Sequence, residues 1–207
     1  MEKRKSMYKI GAIILAAGLS KRMGKPKLLL PFNELPLIYY PVSLAVQNEL
    51  KPIVLVTGQY MNDLENTLGQ FNKQVTFAYN DKTDTGISSS LKIGINTVKS
   101  HVDAVLVFLG DQPFVPTEVV HKIIQEYHIS QHKGIRIIRP RYGGQEGHPI
   151  LFDSCLFHEF QLLQGDIGGK EIIKANKKYV KLIDFPNKVW GTDIDTPEEY
   201  DALIKGV

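Results

Sequence analysis

Cysteine is nearly absent: Cys155 is the only one in 207 residues. No internal disulfide can form, so the fold must hold by burial, and the usage fits a reducing compartment. No segment approaches the roughly 20 consecutive apolar residues of a membrane-spanning helix. Strong charge is missing too. The net charge is +3, and no Lys/Arg run is interleaved with stacking aromatics, so neither nucleic acid nor membrane is an expected partner. Internal repeats, low-complexity tracts and linkers are also lacking. Lys3-Arg4-Lys5 ahead of the apolar run Ile10–Ala17 imitates a secretory leader. That run is short, however, and a loop dense in Lys and Arg follows where a mature domain would begin. Residues 1–8 therefore read as a solvated basic tail, 9–207 as one domain, and the expected location is the cytoplasm.

What remains is an ordinary globular composition, 43% hydrophobic and 23% charged, with enough length for one sizeable core. Apolar runs rich in Val, Ile and Leu recur at Ile10–Ala16, Pro52–Thr57, Val75–Tyr79 and Ala104–Leu109. They do not alternate, which suits strands buried on both faces of a parallel sheet. Helical stretches lie between them, at Leu37–Glu49, Met61–Gln70, Ser88–Lys99 and Thr117–His128. This alternation predicts an α/β fold, three layers deep, with helices on both faces of a mainly parallel, Rossmann-like sheet. Past residue 130, strands are expected at Ile135–Arg139, His148–Phe152 and Val180–Phe185. Helices are expected at Ser154–Leu163, Gly169–Lys177 and Thr196–Ile204, the last with Thr196 as N-cap and Pro197 at its first position.

The loop after the first strand, Gly18-Leu19-Ser20-Lys21-Arg22-Met23-Gly24-Lys25-Pro26-Lys27, carries four cations and two glycines. Such loops gather backbone N–H groups around an anion. The dinucleotide fingerprint G-x-G-x-x-G is absent. The Walker A pattern fails because Gly18 and Gly24 are one residue too far apart and Pro26 stands where Ser or Thr should hold magnesium. Arg22 offers a planar fork to phosphate oxygens and Lys27 a mobile point charge, a pairing suited to a triphosphate. A plain solvated loop joining two elements is the alternative.

Two acidic segments complement this loop. Val105–Leu109 runs into Gly110-Asp111-Gln112-Pro113, which places a carboxylate at a strand's C-terminal end, where α/β sheets bind ligands. One such carboxylate facing phosphate oxygens suits Mg2+; a turn-forming Asp is the bland reading. The segment Asp193-Ile194-Asp195-Thr196-Pro197-Glu198-Glu199 reads as a helix start with acids at its positive end. Its alternation is expected to send one carboxylate toward the crevice and the other away. Gly86–Leu91 opens a helix after Asn80 and is a good cap whose hydroxyls also suit a base edge or ribose. Arg139–Pro149 and Gly165–Lys170 combine glycines with cations and read equally as turns.

The segment Leu15-Ala16-Ala17-Gly18 through Lys27, with Gly110-Asp111-Gln112-Pro113, resembles the signature of nucleotidyltransferases sharing the molybdenum-cofactor cytidylyl- and guanylyltransferase fold. The resemblance runs from Ile10 to about Leu203 and implies a fold of the nucleotide-diphospho-sugar transferase type. It also implies roles. Leu15, Ala16, Ala17, Gly18 and Gly24 would border the nucleotide, with Thr57, Asn80, Gly86 and Ser88 closing over it. Arg22 would meet the outer phosphates, Lys27 the α-phosphate, and Asp111 and Asp195 would hold Mg2+, Asp195 being preferred to Asp193. Arg141, Gly147, His148, Asp166 and Gly168 would recognise an anionic pterin phosphate. The implied reaction is transfer of CMP from CTP to molybdopterin with release of pyrophosphate, supplying a client molybdoenzyme. Guanylyl transfer, transfer to a sugar or polyol phosphate, and a non-catalytic carrier role are the alternatives.

Overall fold

Branched side chains fill both sides of a pleated ladder, so each apolar run forms a strand that needs cover on two faces. In the computed structural model, which describes residues 8–18, 23 and 26–205, the first half follows that rule except at Val75–Tyr79, an edge strand only partly covered. The order is β1 (Ile10–Ala16), β2 (Pro31–Phe32), β3 (Leu35–Pro36), α1 (Tyr39–Gln47), β4 (Ile53–Thr57), α2 (Met61–Thr67), β5 (Val75–Tyr79), α3 (Ile87–Val98) and β6 (Ala104–Leu109). There follow α4 (Thr117–Ser130), β7 (Ile137–Tyr142), β8 (Gln145–Glu146), β9 (Ile150–Asp153), α5 (Phe157–Phe160), α6 (Lys170–Ala175), β10 (Val180–Phe185) and α7 (Pro197–Lys205).

The main sheet has the order β10-β7-β9-β6-β1-β4-β5, with β8 attached to β7. β1 lies between β4 and β6, parallel to both, with Ile14 opposite Leu55 and Phe108. β9 runs antiparallel between β6 and β7, and β10 pairs parallel with β7. One face of the sheet packs on α1, α2 and α4 through Val42, Leu64, Ile123 and Tyr127; the other packs on α3, α5 and α6 through Leu91, Ile95, Phe160 and Ile172. This is the expected three-layer, mainly parallel architecture.

Three local expectations change. The helix expected over Ser154–Leu163 is a 3-10 turn, Ser154–Leu156, followed by the four-residue α5. The Asp153 carboxylate accepts the Cys155 N–H at 3.0 Å and sets that tighter turn. The strand expected at Ile135–Arg139 begins at Ile137 and runs on to Tyr142, because β10 supplies pairing along its whole length. A small hairpin, β2–β3, was not foreseen. Its two connecting residues, Asn33 and Glu34, take φ of 45° and 66°, the left-handed pair that two-residue hairpins require.

That hairpin and α7 share a small cluster of Phe32, Leu37, Ile194 and Tyr200, and the Tyr200 hydroxyl donates to the Pro31 carbonyl at 2.6 Å. α7 opens with a reciprocal cap: the Glu199 N–H donates to Thr196 Oγ1 at 3.2 Å, and the Glu199 carboxylate accepts from the Asp195 and Thr196 N–H groups. The C-terminal acidic segment is thereby pinned against the β2–β3 hairpin. No helix among the described residues is long and apolar enough to cross a membrane.

Candidate active site

The carboxyl ends of β1 and β6 open into a cleft of about 380 Å³. Lys27 reaches into it from a 3-10 turn, Lys27–Leu29. Leu28 is buried in the main core, and its carbonyl accepts the Ile38 N–H at 3.1 Å, so the lysine's backbone is fixed by α1. Its ammonium donates to Asp111 Oδ2 at 2.5 Å and to Asp195 Oδ1 at 2.7 Å. Burial opposes the charged form of Lys27, but the two carboxylates outweigh it and raise its pKa above the ordinary value. Residues separated by up to 168 positions thus meet at one nitrogen.

Asp111 arrives there because Gly110 continues the β1–β6 ladder, its N–H donating to the Leu15 carbonyl at 3.0 Å. A side chain at Gly110 would put its Cβ 2.9 Å from that same oxygen. The Asp111 carbonyl in turn accepts the Ile194 N–H at 3.3 Å, tying the last acidic segment to β6. Asp193 and Asp195 both line the cleft, and buried Ile194 turns away into the hairpin cluster. The expected opposition of the two aspartates is therefore corrected: in an extended segment, residues two apart share a side. Asp193 accepts from Gln112 Nε2 at 2.6 Å, and partial burial together with Asp111 pushes its pKa up to about 6.

Leu15, Ala16, Ala17, Gly18 and Gly86 form the wall opposite the acids, joined by Thr83, Ile87 and Ser90. The last three were not singled out from sequence. Ile87 and Ser90, three apart on one helical face, line the cleft and Ser88 does not, although both serines are buried; the Ser88 N–H donates to the Gly165 carbonyl at 3.3 Å. Gly86 has φ of +93°, and a Cβ there would collide with the Gly165 backbone. The Gly165–Lys170 segment is thus seated on the start of α3, with Asp166 Oδ1 accepting the Ile87 N–H at 3.4 Å.

A second cavity of about 190 Å³ adjoins this wall, sharing Leu15, Ile87 and Asp166 with it. His148, Gly168, Arg139 and Lys170 line it. Arg139 is buried, pairs with Glu146 and donates from Nε to the Gly147 carbonyl at 3.3 Å. Burial pulls the His148 imidazole down to about 4, and the Arg139 and Lys170 cations add to the effect, so the ring is neutral near pH 7.

Four expected residues stand outside both cavities as well as Ser88. Thr57 is fully buried, its hydroxyl donating to the Ala78 carbonyl at 3.4 Å. Asn80 is buried and donates to the Ser89 and Ser90 hydroxyls at 2.8 and 2.9 Å, so it braces α3 from behind. Arg141 makes a two-pronged pair with Asp184, its cross-strand neighbour on β10, at 2.7 Å. The β7 cation in the second cavity is Arg139, two residues earlier on the same face, beside Lys170 from α6. Gly147 lies behind Arg139, where a Cβ would sit 2.5 Å from the Tyr142 ring. Arg22 and Gly24 lie outside the described residues.

Among the described residues, no group of three or more His, Cys, Asp and Glu side chains is tight enough to hold a metal ion. Asp111 and Asp195 nevertheless converge on a single cation, the Lys27 ammonium. Two carboxylates facing an open cleft fit Mg2+, which binds through one or two carboxylates while keeping water and phosphate oxygens.

Comparison with known proteins bears on this geometry. Residues 12–180 match the family described as "MobA-like NTP transferase domain". The molybdenum cofactor cytidylyltransferase of Escherichia coli (strain K12) is 31% identical over 206 residues, 94% of this chain and 95% of that protein. The purine catabolism protein PucB of Bacillus subtilis (strain 168) is 26% identical, covering 98% of this chain and 99% of its own. Among solved structures, Rv0371c from Mycobacterium tuberculosis H37Rv superposes with a TM-score of 0.81 at 25% identity, over 96% of this chain and 100% of that one.

Proposed function

Since the chain belongs to the MobA-like NTP transferase family, we propose that this nucleotidyltransferase moves CMP from CTP to a molybdenum-cofactor-type acceptor, releasing pyrophosphate. The observation that carries the proposal is the convergence of Asp111 and Asp195 on the Lys27 ammonium at the open end of β1 and β6. Such a site has little covalent chemistry of its own and works by alignment and charge. A terminal phosphate oxygen of the acceptor would attack the α-phosphorus of CTP in line, and the bond to the β-phosphate's bridging oxygen would break. The acceptor is already an anion, so no general base is needed, in keeping with a His148 ring held neutral as a positioning group.

Lys27 would leave its carboxylate partners to neutralise charge growing on the α-phosphate oxygens, and Arg22 would hold the departing pyrophosphate. A divalent cation held by Asp111 and Asp195 would supply a Lewis acid and a template for the phosphates. Ala17, buried and lining the cleft, narrows the base slot by one methyl and favours a pyrimidine. A thermal-shift panel of CTP, GTP, ATP and UTP with Mg2+ tests the nucleotide assignment directly. Selective stabilisation by CTP is expected; preference for GTP, or no response to any nucleotide, would overturn it.

A further inference from the structure

The largest of these cavities, about 600 Å³, lies beyond the two already described, between α6 and the edge strand β10. Its floor is apolar: Ile173 from α6, with Val180 and Leu182, two apart and so on one side of β10. Its rim is cationic. Lys170 and Lys174 are four apart on one face of α6, and Lys177 opens the turn that follows. None of these three lysines forms an ion pair among the described residues. The fourth cation, Arg139, has its charge taken by Glu146, the only acid in the lining. Uncompensated positive charge against an apolar wall raises the local concentration of an anion with an apolar body.

The groove is not isolated. Arg139 and Lys170 belong to it and to the 190 Å³ cavity alike, and that cavity shares Asp166 with the nucleotide cleft. One trench therefore runs from the Lys27 carboxylates, past His148, to the lysines of α6.

We propose that this groove is a second anion subsite, which receives the far anionic end of an elongated, flat acceptor whose near phosphate is presented to the nucleotide. The inference rests on the reading that the acceptor lies in the Arg139–His148 cavity. It goes beyond that reading by assigning Lys174 and Lys177 a part in acceptor choice. Acceptors anionic at both ends are held by the whole trench, and those anionic at one end by half of it.

The fluorescent probes naphthalene-2,6-disulfonate and naphthalene-2-sulfonate share one flat body and differ in the second charge. Titrated against the full-length protein, the disulfonate is expected to bind about tenfold more tightly, the gain of one added hydrogen bond between charged groups. In Lys174→Glu/Lys177→Glu that advantage disappears, while CTP affinity is unchanged. Lys174→Gln/Lys177→Gln, which removes charge without adding acid, gives an intermediate loss. Equal affinity of the two probes for the unaltered protein, or a disulfonate advantage that survives charge reversal, would overturn the proposal. Lysine-dependent binding in a protein that transfers no nucleotide would keep the subsite and reject the transferase reading. Transfer activity with lysine-independent probe binding would do the reverse.

Discussion

Replacing Lys27 by methionine keeps the aliphatic stem and removes the ammonium that Asp111 and Asp195 share. Side-chain exposures of 13% for Lys27, 18% for Asp111 and 33% for Asp195 place the cluster between buried and surface pairs. Removing one partner of a fully buried pair costs about 3–5 kcal/mol, and exposed pairs contribute under about 1 kcal/mol. A loss of about 2–3 kcal/mol is expected here, which lowers Tm by roughly 5–10 °C for a chain of this size. The remaining carboxylates repel each other, and a divalent cation can replace the lost charge. Millimolar Mg2+ should therefore restore most of the lost Tm in Lys27→Met while shifting the unaltered protein little. Activity should not return with stability: losing a charge aimed at the α-phosphate costs on the order of a hundredfold or more in kcat. Differential scanning fluorimetry with and without Mg2+, repeated on Asp111→Asn and on the double variant, measures the coupling. A Lys27→Met protein as stable as the parent, or one indifferent to Mg2+, would show that the ammonium does not hold the two carboxylates together.

Further outcomes follow from other parts of the site. His148 has a pKa lowered to about 4 from 6.5, so on acidification the unfolded chain takes up this proton first. Stability present above about pH 6.5 is lost between there and pH 4, by on the order of 1–2 kcal/mol given the residue's partial exposure. His148→Gln should flatten that part of a denaturant-melt series; an unchanged slope would count against a packed neutral ring. Gly86→Ala, which forces a side chain into the Gly165 backbone at φ of +93°, should cost about 1–3 kcal/mol and raise the acceptor KM. A variant with parental Tm would show that the two segments do not touch. Asp195→Asn should weaken Mg2+ activation far more than Asp193→Asn, as read from Mg2+ titrations of turnover; the reverse order would move the second metal ligand to Asp193.

Much of the fold was legible because burial writes itself into composition. β1 and β6 coincide with apolar runs, since strands buried on both faces admit almost nothing polar; β5 keeps its run although it is the sheet's edge strand, with Thr76 and Tyr79 exposed. The second half was less legible. β9 is an ordinary short apolar run, and nothing in Ile150–Asp153 announces that it enters antiparallel between β6 and β7. The β2–β3 hairpin has two-residue strands, too short to carry a period, and it turns through Asn-Glu rather than Asn-Gly. At the site, Lys27 and Asp111 stand out because charge next to a core strand is unusual. Ser90, Thr83 and Ile87 do not: which serine of Ser88-Ser89-Ser90 faces the cleft depends on the rotation of α3, fixed by Gly86 against Gly165 across 79 residues of sequence. Arg139 and Arg141 share a strand face and look alike in sequence; burial with Glu146 for one and the Asp184 partner on β10 for the other tell them apart.

In the proposed reaction Lys27, Asp111 and Asp195 together serve transfer at the α-phosphorus of CTP. Following label from α-32P-CTP in the presence of Mg2+ and molybdenum cofactor tests it most directly. The label should enter the acceptor in step with pyrophosphate release, and Asp111→Asn should stop both without unfolding the protein. Label appearing only as free CMP, or undiminished transfer by Asp111→Asn, would contradict it.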